Sequence, residues 1–332
     1  MAVHPYGSPL GVERCAQRAR ARRFGPRPDP VAGQSTPSGA LSVHPAQSGE
    51  DSGAYTICIS ANEVNLLFTV SNRHGRFVKD LKQSDFALLD NQKAPAQIFS
   101  FSQQTNLPLC VGILIDTSSS IRQRFYFEQR AATEFLVQLL RPKMDKAFIM
   151  GFDATPVMKQ DWTNNLDQLK AGIQAAKPGG GTALYDALYA ACRDKLLDST
   201  PGPVPERKVI ILVSDGDDNQ SRAVLGDSID MCQRAETIVY TISTNTGSWF
   251  GRGDEVLNMI SEATGGTAFY PQKLEEISNG FRQIADELRS QYALQYKPAD
   301  FRADGSFRGI YLSCLDRRYK VRAKRGYFTP RD

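Results

Sequence analysis

Val111-Gly112-Ile113-Leu114-Ile115-Asp116-Thr117-Ser118-Ser119-Ser120 reads as a buried strand that ends on a carboxylate and opens into a hydroxyl-rich loop. A second stretch, Val209-Ile210-Ile211-Leu212-Val213-Ser214-Asp215-Gly216, repeats the pattern. Near-continuous apolar, β-favouring runs of this length belong to parallel strands covered on both faces. Asp116 and Asp215 are therefore predicted at the same edge of one sheet, where strand becomes loop. In open α/β sheets that carboxyl rim is where loops converge and ligands bind.

Around these strands the chain alternates between helix and strand. Helices are expected over Ile121–Leu140, with Phe127, Ala131, Phe135 and Val137 among the buried positions, and over Leu166–Ala176, Leu184–Leu197, Val224–Arg234, Glu255–Ala263 and Leu274–Gln291. Strands are expected over Lys146–Phe152, Val157–Trp162 (an antiparallel edge), Lys208–Ser214, Thr237–Ser243 and Thr267–Tyr270. Such alternation implies a parallel sheet covered on both faces.

Gly179-Gly180-Gly181-Thr182 lies between the two carboxylate-ending strands. Asp116, Ser118, Ser120, Thr182 and Asp215 then supply oxygen donors from three loops. Mg²⁺ is small and hard, takes six oxygens and usually keeps some water, which suits hydroxyls backed by two carboxylates. An ion so weakly neutralised stays electrophilic and is suited to accepting an outside carboxylate. The plainer alternative is a scaffold without metal, in which Ser118 and Ser120 only cap the following helix.

These residues resemble the metal-ion-dependent adhesion site of the von Willebrand factor type A domain, which reads D-x-S-x-S, then a threonine, then an aspartate. All five positions are matched here, by Asp116, Ser118, Ser120, Thr182 and Asp215. The resemblance covers roughly residues 108–290. It implies a doubly wound, mostly parallel six-stranded sheet flanked by helices, with its third strand antiparallel at one edge. It also implies a divalent-metal-dependent protein-binding module for adhesion or assembly. The cofactor would be Mg²⁺, with Mn²⁺ or Ca²⁺ as alternatives, and the partner a protein offering an Asp or Glu carboxylate. In related domains the last helix shifts as the metal changes ligation. Here that helix runs straight into a strand.

The outer segments extend the resemblance. Val64, Leu66, Phe68 and Val70 alternate with Asn65, Leu67, Thr69 and Ser71, the pattern of a half-buried strand. Short strands follow around Phe77–Leu81, Asp85–Asp90 and Ile98–Phe101, and at the other end around Tyr292–Tyr296, Phe307–Cys314 and Tyr319–Lys324. Asp304-Gly305 reads as the turn of a hairpin joining two of these. Each group alone is too small to bury a core, so they are expected to pair into one β layer. The segments resemble the entry and exit modules of the VWFA-related proteins abundant in Acidobacteria. The expected organisation is a disordered tail over 1–53, a small β module over 54–107, the type A domain over 108–291, and a C-terminal β segment over 292–332 that packs with the module.

The net charge of +4 is local. Residues 1–30 hold six arginines against Glu13 and Asp29, six minus two, so the remaining chain sums to zero. The basicity thus belongs to a tail rich in Arg, Pro, Gly and Ser, and no nucleic-acid-binding face is expected. No apolar run approaches the ~18 residues of a membrane span. The tail also lacks the apolar stretch of a secretory leader. The family resemblance, in contrast, implies an extracytoplasmic location. Either the true start lies elsewhere and a leader was lost, or this protein stays inside. Six cysteines, Cys15, Cys58, Cys110, Cys192, Cys232 and Cys314, show no C-x-x-C pair or framework spacing, so buried free thiols are expected.

Other motifs carry less. Gly179–Thr182 lacks the lysine and spacing of a phosphate loop; its glycines serve to bring Thr182 close to the metal. Asp215–Asn219 begins like a calcium loop but has Gln220 and Gly226 where that loop needs Gly and Glu. Asp217 and Asp218 are expected to make the rim acidic or to be solvated. Arg252-Gly253-Asp254 matches an integrin-binding tripeptide and is read as chance. His4, His44 and His74 all precede the type A domain, so a serine nucleophile would have no histidine base from that domain. No enzyme is expected. A metal-assisted hydrolase using Asp217 or Asp218 as base stands as the weaker alternative.

Overall fold

A computed structural model describes residues 62–103, 107–119, 122, 124–197, 206–245, 251–273 and 276–331. The tail expected over 1–53 lies outside the described residues, as do Cys15, Cys58 and Ser120. In chain order the strands are β1 (Val64–Ser71), β2 (Phe86–Asp90), β3 (Gln97–Gln103), β4 (Leu109–Asp116), β5 (Lys146–Phe152), β6 (Pro156–Thr163), β7 (Arg207–Ser214), β8 (Ile238–Ser243), β9 (Ala268–Phe269), β10 (Tyr292–Lys297), β11 (Phe307–Cys314), β12 (Lys320–Ala323) and β13 (Gly326–Phe328). The helices are α1 (Phe125–Leu139), α2 (Leu166–Ala175), α3 (Leu184–Ala190), α4 (Leu225–Arg234), α5 (Arg252–Thr264) and α6 (Ile277–Leu288).

A six-stranded sheet in the order β6-β5-β4-β7-β8-β9 forms the centre, and every pairing in it is parallel except that of β6 with β5. All eight residues of β4 are buried, as its unbroken apolar run requires. Val111, Ile113 and Ile115 share one core with α1, α2 and α6; Leu114 belongs to a second core with α3, α4 and α5. Gly112 leaves room for the Phe148 ring, whose Cζ lies 2.4 Å from where a β-carbon would stand. The doubly wound α/β class is thus the observed one.

Helix phases differ from expectation in two places. Helix α1 starts at Phe125, and its inward stripe is Phe125, Glu128, Ala131, Ala132, Phe135, Leu136 and Leu139. Val137 is half exposed (50%) and Phe127 only partly covered. The helix begins several residues later than the apolar pattern suggested, and Val137, two residues or about 200° of turn from buried Phe135, faces the opposite side. The expected helix Leu184–Leu197 is α only to Ala190; Ala191–Leu197 continues it as π-helical turns.

That continuation corrects the cysteine reading. Cys192, on the π-helical turns, and Cys232, on α4, form a disulfide with Cα atoms 5.0 Å apart. They are 40 residues apart in sequence, and only the packing of two neighbouring helices brings them together. Cys110 and Cys314 are free thiols.

The outer strands form two antiparallel sheets, not the single layer expected. One has the order β12-β1-β10-β3 and the other β13-β11-β2. Val64, Leu66, Phe68 and Val70 of β1 point into a core that the two sheets share with Leu88, Tyr292, Leu294, Tyr296 and Tyr327. Inside it the Asp90 carboxylate accepts from Arg308 Nε at 2.7 Å, Tyr296 Oη at 2.7 Å and Tyr327 Oη at 3.0 Å. The expected hairpin between β10 and β11 does not form. Both edges of β10 are already occupied, by β1 and β3, so β11 pairs with β2 and β13. Leu67, on the other face of β1, packs against the α1 side of the central sheet.

Candidate metal centre

Strand β4 ends on Asp116, which is completely buried, and β7 ends beside it on Ser214. The Ser118 backbone N–H donates to Asp116 Oδ1 at 2.8 Å, and Ser214 Oγ donates to Oδ2 at 2.7 Å. Ser214 Oγ also accepts from Gly216 N at 3.0 Å, so one hydroxyl ties the first aspartate to the turn after the second. Ser214 went unnoticed in the sequence reading. Its signal was position: it ends β7, directly before Asp215 and beside the end of β4.

Backbone bonds stitch the three loops together. Thr117 N donates to Phe152 O at 2.8 Å, and Gly179 N to Thr117 O at 2.6 Å. Ser119 donates to Gly180 O from both its N–H, at 3.2 Å, and its Oγ, at 3.1 Å. Thr182 O accepts from Asn219 N and Gln220 N, both at 3.0 Å, while Thr182 N donates to Asn219 Oδ1 at 3.0 Å. A β-carbon on Gly181 would stand 2.6 Å from Gln220 Cγ and 2.7 Å from Asn219 Oδ1, so any side chain there would have to displace both of these. Gly216 has φ +83°, and a β-carbon there would meet Gly253 O at 2.2 Å.

The rim thus collects Asp116, Ser118, Thr182 and Asp215, all buried at the loop ends. Ser120 lies outside the described residues. Burial raises the Asp116 carboxyl to about 6, hydrogen bonds from Ser118 and Ser214 pull it down, and the Asp215 charge pushes it up. Two acidic groups held close in a dry setting favour a positive ion between or beside them. Among the described residues no group of three or more His, Cys, Asp or Glu side chains is gathered as metal ligands. Two carboxylates with neighbouring hydroxyls would suit a hard, oxygen-seeking divalent ion.

The neighbouring acids have other work. Asp218 Oδ2 accepts from Tyr185 N at 3.0 Å and Ser221 Oγ at 2.5 Å, so it braces the start of α3. Asp217 remains exposed, its carboxyl raised by burial and then by Asp215. Asp254 is buried, accepting from Ser243 Oγ at 2.6 Å and Asn245 Nδ2 at 3.0 Å. Arg252-Gly253-Asp254 is therefore the first turn of α5 rather than a displayed tripeptide.

The family description von Willebrand factor type A domain matches residues 111–283. A human protein, von Willebrand factor A domain-containing protein 3B, is 28% identical over 166 residues, which is 47% of this chain and 11% of that protein. The chain thus spans about a tenth of that relative's length. Among solved structures, a von Willebrand factor type A protein from Catenulispora acidiphila has a TM-score of 0.49 at 14% identity, covering 74% of this chain and 72% of its own. Proximal thread matrix protein 1 from the mussel byssus, described with a zinc-occupied MIDAS motif, has a TM-score of 0.48 at 14% identity, covering 60% of this chain and 49% of its own. Type A domains generally serve as interaction modules rather than enzymes. With the match spanning more than half of its 332 residues, this chain belongs to the von Willebrand factor type A domain family.

Proposed function

We propose that this protein is a divalent-metal-dependent protein-binding module, used in adhesion or assembly. Asp116, Ser118, Ser120, Thr182 and Asp215 would hold Mg²⁺, with Mn²⁺ or Ca²⁺ as alternatives, and an Asp or Glu carboxylate of the partner would complete the coordination. The observation that carries this reading is the pair of acids at the rim, Asp116 fully buried and under the repulsion of Asp215, beside loops that present hydroxyls. A bound cation resolves that repulsion, and neutral hydroxyl ligands leave it enough charge to attract another acid. We also place the protein in an oxidising, extracytoplasmic compartment, a reading supported by the Cys192–Cys232 disulfide.

The test uses the full chain and Ser118→Ala. Mg²⁺ is expected to raise the melting temperature of the parent by several degrees and that of the variant much less. Peptides selected for binding in Mg²⁺ are expected to require an Asp or Glu and to release on EDTA. Capture that survives both Ser118→Ala and EDTA would overturn the docking mechanism.

A further inference from the structure

Between the turn after β1, strand β12 and the second half of α6 lies an open cleft of about 690 Å³, whose lining includes Arg76, Phe77, Lys79, Phe269, Arg289 and Arg322. That volume falls in the range of pockets that take small organic molecules. Its walls carry four cationic side chains against the two acids Asp286 and Glu287, four minus two, an excess of +2 with His74 counted neutral. The chain after residue 30 sums to zero, so this excess is local and not part of a general basicity.

The acids do not answer these cations. Glu287 is buried and already accepts from Arg322, Thr267, Tyr240 and Thr69. Among the described residues Asp286, Arg76 and Lys79 are exposed and make no ion pair. The backbone that carries the cations is fixed. Asn72 Oδ1 accepts from His74 N at 2.9 Å and Arg76 N at 3.0 Å, and Asn72 N donates to Arg76 O at 2.9 Å, closing the turn that bears Arg76. Tyr292 Oη donates to Val78 O at 3.0 Å and accepts from Leu81 N at 3.1 Å, holding the chain on both sides of Lys79. Arg289 Nη2 donates to Gln138 O at 2.7 Å.

Like charges gathered on a fixed frame repel one another, and an anion between them removes that repulsion. Guanidinium groups match carboxylate and phosphate oxygens in pairs. Phe77 and Phe269, both partly buried, add apolar surface to the same cleft. We propose that this cleft binds a small organic dianion, whose carboxylate or phosphate oxygens meet Arg76, Lys79 and Arg289 and whose apolar body lies against the two phenylalanines. The site is separate from the metal rim and does not depend on it.

The experiment is calorimetry in EDTA on the full chain, with phenyl phosphate, isophthalate and inorganic phosphate as separate probes. At least one of the two aromatic dianions is expected to bind saturably and more tightly than inorganic phosphate; which of them binds tells a phosphate ligand from a carboxylate one. Arg76→Gln is expected to weaken that binding at least about tenfold, the loss of a charge-assisted hydrogen bond, without lowering the melting temperature. Arg222→Gln makes the same charge change before α4, whose core lies on the other face of the central sheet, and is expected to leave binding unchanged. Failure of both aromatic dianions to bind overturns the proposal, as does inorganic phosphate binding equally well. So do equal losses in the two variants, which mark diffuse electrostatics, or a lower melting temperature of Arg76→Gln, which marks a role in the fold.

Discussion

Ser214 Oγ donates to Asp116 Oδ2 at 2.7 Å, joining the ends of β4 and β7 directly beneath the three loops. Ser214→Ala leaves that buried oxygen without its donor and frees Gly216 N as well. The expected cost is about 1–3 kcal/mol of stability by urea unfolding. Groups that orient metal ligands typically change affinity by about 10–100-fold, so Mg²⁺ binding by calorimetry is expected to weaken at least tenfold. Unchanged affinity would show that Asp116 needs no help in facing the ion.

The Asp116 carboxyl, raised by burial to about 6, gives the metal-free protein a signed pH dependence. Between its ordinary value of 3.8 and about 6, the folded state holds a proton that the unfolded chain has released. Stability from this group is therefore lost as pH rises through that window. The shift corresponds to about 3 kcal/mol at most. In EDTA, the stability of Asp116→Asn relative to the parent is expected to grow by about 2–3 kcal/mol from about pH 4 to about pH 7. A flat difference would mean that Asp116 ionises as a solvated acid does.

Glu287, near the end of α6, is buried and accepts from Arg322 Nη1 at 2.9 Å, Thr267 Oγ1 at 3.2 Å, Tyr240 Oη at 3.3 Å and Thr69 Oγ1 at 3.4 Å. One carboxylate thus pins the last helix of the type A domain to β1, β8 and β12. Removing a buried, multiply bonded partner costs about 3–5 kcal/mol, so Glu287→Ala is expected to lower stability by that order. Hydrogen exchange is expected to quicken first in α6 and β12. Uniform quickening over the whole chain would show that the carboxylate does not tether these elements locally.

The Cys192–Cys232 disulfide closes a 40-residue separation between the π-helical extension of α3 and α4. A loop of that length constrains the unfolded chain by about 2–4 kcal/mol. Replacing both cysteines by serine is expected to cost about 2–4 kcal/mol of stability by urea unfolding and to abolish its sensitivity to reductant. Thiol titration of the unreduced, unfolded chain that counts these two sulfurs as free would contradict the pairing.

Much of this was legible in one dimension. An unbroken apolar run can be soluble only if both faces are covered, so β4 and β7 and the carboxylates at their ends follow from local sequence. The D-x-S-x-S, Thr and Asp positions needed no contacts to be read, because loops after parallel strands must meet at one rim.

Other features depend on which elements become neighbours. Val137 faces outward because it stands about 200° around α1 from Phe135, which packs into the core. Strand β11 left its expected hairpin because β10 had no free edge, and two sheets rather than one closed over the β1 side chains. Cys192 met Cys232 and Ser214 reached Asp116, both through packing over long separations. Sequence alone determined the central strands and the fold class, because burial patterns are properties of short segments. The tertiary structure decided which buried polar groups found partners and which did not, because hydrogen bonds and charge act at a few ångströms and only folding sets those distances.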